Sequence, residues 1–178
     1  MTLGASDKLG IMKFVLAFFI SFFYNPLMVA ATPGEVPMGG VLRNEPMQGL
    51  NGASLMLSDY RGKPLIINVW ASYCPPCLAE MGSLERLHQR YSKLFNVIGI
   101  SIDDYPDPAK AFLRKADTTF MHYIDHELKL EKMFGANSIP LTLLIDAQGR
   151  VLQKVRGSRE WDSSETIKAI SNTFKIKN

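Results

Sequence analysis

Cysteine is scarce in this sequence, since its 178 residues include only Cys74 and Cys77. Two cysteines exclude a framework of several disulfides and a zinc site built from four cysteines. They leave either a single disulfide or a reactive pair of thiols. Because only two residues separate them, residues 74–77 are the first segment to consider for chemistry.

An excess of charge of either sign is also missing. The 20 Lys and Arg residues are nearly balanced by 17 Asp and Glu residues, for a formal net charge of +3, and the basic residues form no run. A nucleic-acid-binding surface needs a basic stripe along the phosphates, so we expect no nucleic-acid partner. A composition with 47% apolar and 21% charged residues is typical of one globular domain.

A long apolar run occurs only near the N-terminus, where the uncharged residues 14–24 follow Lys13. Small residues at Val29 and Ala31 fit the positions three and one before a signal-peptidase cut. The pattern predicts a signal peptide over residues 1–31, removed near Ala31. An uncleaved membrane anchor over residues 14–31 and a buried helix of the domain are the alternatives.

Export places the protein in the periplasm or another extracytoplasmic compartment, soluble after cleavage or anchored. The Gly- and Pro-rich residues 32–46 predict a linker, and residues 47–178 the folded domain. An oxidising compartment lets a Cys74–Cys77 disulfide form and persist. Because the loop that it closes is so short, we expect its value to be chemical rather than structural.

The rest of the sequence alternates between strand and helix patterns. Three continuous apolar runs predict strands buried on both faces: LIINVW (65–70), NVIGISI (96–102) and LTLLID (141–146). Apolar residues recur at helical spacing after Pro75-Pro76 and again after Asp162. Asn51-Gly52 predicts a two-residue β-hairpin turn. This order predicts an α/β sandwich with parallel central strands and an antiparallel edge.

A Cys-x-x-Cys segment between a buried strand and a helix is a specific arrangement. The helix N-terminus directs free amide groups and a partial positive charge at the first sulfur, which favours its thiolate. We therefore expect Cys74 to attack a disulfide. Cys77, one helical turn further in, is expected to resolve the mixed disulfide that results.

Half of a zinc site is the competing interpretation of the cysteine pair, because His122 and His126 have the spacing of a second half. The separation argues against it. Residues 78–121 number 44, whereas about 12 to 15 separate the two halves of a zinc finger. We expect no metal and no other cofactor, and we interpret the two histidines as a surface pair or cap partners.

Glu80 lies within the apolar arc of the helix that begins at the cysteines, three positions after Cys77. A carboxyl group facing the core loses hydration, which raises its pKa and suits it to accept the proton of Cys77. The alternative is an acidic residue favoured in the first helical turn by the macrodipole. We expect the proton-accepting role.

Ile139-Pro140 stands directly before the third predicted strand, a position in which proline enters a sheet. A cis bond there would expose the Ile139 backbone to an incoming peptide. Sequence alone does not select the cis form, since only about 5 to 6% of X-Pro bonds in folded proteins adopt it.

Three segments resemble the thioredoxin superfamily, specifically its exported TlpA-like and ResA-like thiol:disulfide oxidoreductases: LSDYRGKPLIINVWASYCPPCLAEM, IGISIDD and GANSIPLTLLIDAQGRV. The resemblance implies a thioredoxin-like three-layer α/β/α sandwich with a mixed central sheet and an N-terminal β-hairpin. It implies that Cys74 is the nucleophile, Cys77 the resolving thiol and Glu80 the buried acid. It also implies that Pro140 is a cis-proline facing the disulfide.

Two positions depart from the pattern. Asn68 stands where cytosolic thioredoxins carry a buried aspartate, which leaves Glu80 as the nearby acid. Tyr73 replaces the tryptophan usual before the first cysteine. We expect four residues to contact the substrate: Tyr73, Pro75, Ile139 and Pro140.

The resemblance implies a reductant of protein disulfides. Its partners would be a disulfide-containing protein substrate and a membrane electron donor that re-reduces the cysteine pair, with cytochrome c maturation or copper-site assembly as the substrate class. The alternatives are a dithiol oxidase and a copper-binding module of the Sco type, which shares the fold.

Overall fold

The computed structural model describes residues 33–176 of the chain. The predicted signal peptide or anchor, residues 1–31, lies outside the described residues. Strands and helices alternate in this order: β1 (Pro46–Gly49), β2 (Leu55–Met56), a 3₁₀ turn (Leu57–Tyr60), β3 (Leu65–Trp70), α1 (Pro75–Tyr91), β4 (Asn96–Ser101), α2 (Pro106–Ala116), β5 (Met121–Ile124), α3 (Lys129–Phe134), β6 (Leu141–Ile145), β7 (Val151–Arg156) and α4 (Ser164–Phe174). Across residues 33–176, no helix combines the length and apolarity that crossing a membrane requires.

The strands form one mixed sheet in the order β2-β1-β5-β4-β3-β6-β7. β3, β4 and β5 are parallel, whereas β6 is antiparallel to β3, and β7 to β6. The prediction of a mixed sheet is therefore confirmed. The three predicted apolar runs are its central strands β4, β3 and β6, and each is buried along almost its whole length.

Helices cover both faces of this sheet. Alternate residues of a strand point to opposite sides, so each face carries apolar side chains against which helices pack. Leu65, Ile67 and Val69 pack with α3 in one hydrophobic cluster. Ile66 and Trp70 pack in the other, together with α1, α2 and α4. The expected three-layer α/β/α sandwich is confirmed. The cluster with Ile66 and Trp70 also contains both cysteines.

The N-terminal hairpin is present, since β1 pairs antiparallel with β2. Its turn is not the two-residue turn that Asn51-Gly52 predicts, because residues 50–54 separate the two strands. Asn51 instead bonds to β5 and to the residue just before it, on the other side of β1 from β2. Its Nδ2 donates to the Phe120 carbonyl at 2.9 Å, and its Oδ1 accepts from the His122 amide at 2.8 Å.

Residues 33–45, part of the predicted linker, lie along the domain. Val36 and Leu42 are buried in the core cluster on the α3 side of the sheet. The Val36 amide donates to the Met133 carbonyl at 2.8 Å, and the Leu42 amide donates to the Gly149 carbonyl at 2.9 Å. Two apolar side chains thus tie this segment to the sheet.

Candidate active site

Helix α1 begins at the cysteine pair. Cys74 is its N-cap residue in an extended conformation, and Pro75 and Pro76 occupy the first helical positions. Proline suits these positions because its missing N–H has no partner in the first turn anyway. The Cys77 amide donates to Cys74 Sγ at 3.2 Å. The first sulfur therefore lies at the positive end of the helix, where the sequence predicts an attacking thiolate.

Cys74 and Cys77 form a disulfide, with Cα atoms 5.3 Å apart. Cys74 is 5% exposed and Cys77 is fully buried, so an incoming group meets the Cys74 sulfur first. The neighbours of Cys74 are accessible, since Pro75 and Pro76 are exposed and Tyr73 is 70% exposed. This order of access matches the roles predicted for the two cysteines.

Glu80 is buried in the interior on α1, with 1% of its surface exposed. Its Oε2 accepts hydrogen bonds from Trp161 Nε1 at 2.9 Å and from the Arg159 amide at 3.1 Å. Burial raises the pKa of Glu80 above its ordinary value, while the bonds from Trp161, Asn68 and Arg159 partly oppose the rise. A buried carboxyl group with a raised pKa suits the proton exchange predicted for it.

Asn68, on β3, supplies the third bond to this carboxyl group. Its Nδ2 donates to Glu80 Oε1 at 2.7 Å and to Thr142 Oγ1 at 3.0 Å. Its own carbonyl oxygen is buried without a hydrogen-bond partner among the described residues. An amide here adds a donor to the site, where an aspartate would add a second buried negative charge.

The Ile139–Pro140 bond is cis. Pro140 is buried immediately before β6, and its carbonyl accepts from the Gly157 amide at 2.9 Å. Ile139 is partly buried and packs against the hydrophobic cluster that contains Cys74 and Cys77. The fold thus brings this segment to the same core as the disulfide, although the sequence alone did not select the cis form.

Asp103 was not predicted as part of the site. Its carboxylate accepts from the Ser72 amide at 2.9 Å, from Ser72 Oγ at 2.6 Å and from Ser101 Oγ at 2.7 Å. The signal was available, because Asp103 and Cys74 follow neighbouring parallel strands, whose carboxyl ends meet at one edge of a sheet. Asp103 is 5% exposed, and the residue to which it bonds, Ser72, lies two positions before Cys74.

The charged groups that act on Tyr73 are all acidic. Partial burial raises the pKa of Tyr73, and the negative charges of Asp103, Asp104 and Glu131 raise it further. Tyr73 directly precedes Cys74 in the chain, and the carboxylate of Asp103 also bonds to Ser72, the residue before Tyr73.

The histidines are not the predicted surface pair. His122, on β5, is fully buried, with its ring 4.4 Å from that of Phe120 and its Nε2 2.9 Å from Thr118 Oγ1. His126 is exposed, 3.9 Å from Glu127. Alternation along the short strand sends the His122 ring into the core. Within residues 33–176, no group of three or more His, Cys, Asp or Glu residues is arranged to hold a metal ion.

The comparisons with known proteins agree on one family for this chain. The Redoxin profile matches residues 35–170. Thiol-disulfide oxidoreductase ResA of Bacillus thuringiensis is 28% identical over 132 residues, which cover 74% of this chain and 76% of that protein.

Solved structures share the fold. A Chlorobium tepidum protein assigned as a thiol:disulfide interchange protein DsbE superposes with a TM-score of 0.71 at 24% identity, over 78% of this chain and 98% of that chain. A secreted Mycobacterium tuberculosis disulfide oxidoreductase homologous to DsbE of E. coli has a TM-score of 0.63 at 19% identity, over 73% of this chain and 96% of that chain. With the disulfide at the start of α1, these matches establish that the chain belongs to the Redoxin family and is a thiol-disulfide oxidoreductase of the ResA-like and TlpA-like branch of the thioredoxin superfamily.

Proposed function

We propose that the chain is an exported reductant of protein disulfides, re-reduced by an electron donor in the membrane. One observation carries the direction of the reaction: the charges that act on Tyr73, next to Cys74, are the three carboxylates of Asp103, Asp104 and Glu131. Negative charge near a thiolate disfavours the reduced form and so lowers the reduction potential. A strong oxidant needs the opposite, a stabilised reduced form.

The reaction begins with both cysteines reduced. The Cys74 thiolate attacks one sulfur of the substrate disulfide, forming a mixed disulfide and expelling the other substrate sulfur as a thiolate. Cys77 then gives its proton to Glu80 and attacks Cys74 Sγ, which closes the Cys74–Cys77 disulfide and expels the second substrate sulfur as a thiolate, and Glu80 returns the proton to this leaving thiolate. Two electrons pass to the substrate, whose first thiolate takes a proton from water, and the donor returns two electrons, with one proton, to restore the Cys74 thiolate and the Cys77 thiol.

Four residues are proposed to contact the substrate. Tyr73 and Pro75 flank Cys74 and are exposed, whereas Ile139 and Pro140 lie at the cis peptide bond. We propose that an extended segment of the substrate pairs with the backbone of Ile139. Cytochrome c maturation or copper-site assembly is the proposed substrate class, on the strength of the resemblance to the TlpA-like and ResA-like branch.

We propose export because residues 1–31 have the pattern of a signal peptide or a membrane anchor ahead of the linker. The secreted mycobacterial protein of the same fold is consistent with this location. To test this location, the mature protein is isolated from each cell fraction, digested, and its N-terminus is sequenced. An N-terminus near Thr32 supports cleavage, and an intact N-terminus in the membrane fraction supports the anchor. A mature protein found in the cytosol overturns export.

The copper-binding alternative receives less support from the geometry. It requires a histidine that joins the two cysteines at a metal. His122 is buried against Phe120, its Nε2 lies 2.9 Å from Thr118 Oγ1, and within residues 33–176 no group of three or more His, Cys, Asp or Glu residues is arranged to hold a metal ion. Stoichiometric copper binding that is lost in His126→Ala, without reduction of insulin disulfides, would favour the alternative.

Equilibration with glutathione tests the direction of the reaction. The fraction of reduced protein at defined ratios of reduced to oxidised glutathione gives the potential. We expect a value near that of thioredoxin, about −270 mV, whereas a value near that of DsbA, about −120 mV, would establish a dithiol oxidase. Cys77→Ser should accumulate mixed disulfides with the natural substrate, and Cys74→Ser should abolish exchange.

A further inference from the structure

The turn that presents Cys74 contains a backbone amide whose partner lies outside the turn. Residues 71–74 form a turn closed by a bond from the Cys74 amide to the Ala71 carbonyl at 3.1 Å. In such a turn, the amide of the second residue points away from the closing bond and must bond elsewhere. That residue is Ser72, and its amide donates to both carboxylate oxygens of Asp103, at 2.9 and 3.2 Å.

Asp103 holds this turn through the side chain as well. Ser72 Oγ donates to Oδ1 of Asp103 at 2.6 Å. The amide and the hydroxyl of one residue thus bind the same carboxylate, which sets both the position and the orientation of the turn. Hydrogen bonds to an ionised acceptor are about twice as strong as those between neutral groups.

The carboxylate is itself fixed to the sheet. Ser101, fully buried at the end of β4, donates from Oγ to Asp103 Oδ2 at 2.7 Å and accepts from the Asp103 amide at 3.1 Å. The Ile102 amide, between them, donates to the Trp70 carbonyl at 2.9 Å. Asp103 therefore links the end of β4 to the turn that leaves β3.

We propose that Asp103 is a positioning residue for thiol-disulfide exchange, holding Ser72 so that Cys74 Sγ stays at the N-terminus of α1. The inference rests on the proposed role of Cys74 as the attacking thiol. During exchange this sulfur alternates between a bond to Cys77, a free thiolate and a bond to the substrate. Only in the correct position does it receive the Cys77 amide, which lies 3.2 Å from it in the disulfide.

The position of Cys74 Sγ sets two measurable properties. A thiolate that moves off the helix N-terminus loses the stabilisation of the first-turn amides, so its pKa rises. A misplacement of about 1 Å also slows the reaction, because the attacking sulfur no longer meets the substrate disulfide in line. A residue that only stabilised the fold would change neither property in the folded protein.

Ser72→Ala is the primary test, because it removes the hydroxyl bond and leaves the charge of the protein unchanged. Alkylation of the reduced protein by iodoacetamide across a pH series gives the titration midpoint of Cys74, with the labelled cysteine identified by mass spectrometry. We expect the midpoint to rise and the reduction of insulin disulfides to slow roughly ten-fold. Ser72→Thr keeps the hydroxyl and is expected to restore both.

Two further variants separate positioning from charge. Asp104→Asn removes an exposed carboxylate from the same loop without touching Ser72 and is expected to lower the Cys74 midpoint, opposite to Ser72→Ala. Asp103→Asn in the Ser72→Ala background is expected to slow exchange by less than it does alone, since both substitutions weaken the same contact between Ser72 and Asp103.

Guanidinium unfolding of each variant measures its stability, which is then compared with its Cys74 midpoint and exchange rate. If Ser72→Ala and Asp103→Asn both lower stability but leave the Cys74 midpoint and the exchange rate at the wild-type values, Asp103 is purely structural and the inference is wrong. Additive effects in the double variant would also overturn it. If Cys74 in the wild-type protein reacts no faster than Cys77, the proposed role of Cys74 fails instead, which is a distinct result.

Discussion

Asn68 Nδ2 lies 2.7 Å from Oε1 of Glu80 and donates a hydrogen bond to it. Both side chains are buried, on β3 and α1 respectively. A neutral donor stabilises the ionised carboxyl group, whereas an aspartate at position 68 would repel it. The identity of residue 68 therefore limits how far burial raises the pKa of Glu80.

Asn68→Asp tests this relationship. The new carboxyl group would face Glu80 in the core, and two like charges that close cannot both ionise. The pair should titrate in two steps, with the second pKa above that of Glu80 in the wild-type protein. Carbon-13 NMR of labelled carboxyl groups measures both steps. Two carboxyl groups that both titrate in the ordinary range would contradict the contact.

Glu80→Gln should slow exchange without unfolding the protein. An amide keeps the shape of the side chain and an oxygen to accept from Trp161 and the Arg159 amide, but it takes no proton from Cys77. General acid–base groups typically contribute about 10²- to 10⁴-fold, and we expect a loss of at least about ten-fold in single-turnover exchange with insulin. An unchanged rate would remove Glu80 from the reaction.

Glu85→Gln is the matched control, since Glu85 is a second buried acid on the same helix. Burial alone would raise the pKa of Glu85, but bonds from Thr119 and Gln89 lower it below its ordinary value. Its substitution should reduce stability while leaving the exchange rate unchanged. An equal loss of rate in both variants would indicate a general effect on the helix.

The sequence was informative where a local pattern determines the outcome. The run at residues 65–70 predicts a central strand because a strand buried on both faces is nearly continuous in apolar side chains, and Asn68 is its single polar residue. Glu80 was recognised because helical spacing alone sets which face of α1 it occupies. The N-cap position of Cys74 followed from the prolines after it.

Contacts between distant segments were not predictable in this way. Asn51 bonds to Phe120 and His122 rather than forming a two-residue turn, and nothing local signals those partners. Trp161 reaches Glu80 across 81 positions of the chain. Ser72 and Asp103 meet only because β3 and β4 are adjacent and parallel. Each case depends on strand order, which residue patterns do not fix.

Removing the acidic charges near Cys74 should make the protein less reducing. Asp104→Asn combined with Glu131→Gln removes two of the three carboxylates that act on Tyr73. The free energy of forming the Cys74 thiolate is then lower, so the reduction potential measured against glutathione should rise toward that of oxidants. Each 30 mV of that rise corresponds to about 1.4 kcal/mol. A potential that stays constant or falls would contradict the electrostatic basis of the proposed direction.

Asp117→Asn is the control for that experiment. Asp117 is exposed at the end of α2, ahead of β5 and thus at the opposite edge of the sheet from the cysteines. The substitution removes one negative charge without altering the surroundings of Cys74. We expect the wild-type potential, and a rise equal to that of the double variant would indicate an effect of net charge.

His122 should make the stability of the protein fall in acid. Burial lowers the pKa of His122 to about 3, whereas in the unfolded chain it is near 6.5. Between these values only the unfolded state binds the proton, so the free energy of unfolding should fall by about 1.4 kcal/mol per pH unit as the pH decreases. Above pH 6.5 this contribution is fully present.

His122→Gln removes the proton-binding group and should flatten that part of the curve. Guanidinium unfolding of the wild-type protein and the variant from pH 3 to pH 7 isolates His122, because the carboxyl groups contribute to both curves alike. Glu80, whose pKa is raised, acts with the opposite sign: its contribution is lost as the pH rises through that pKa. Parallel curves for the wild-type protein and His122→Gln across this range would show that the ring does not remain neutral in the core.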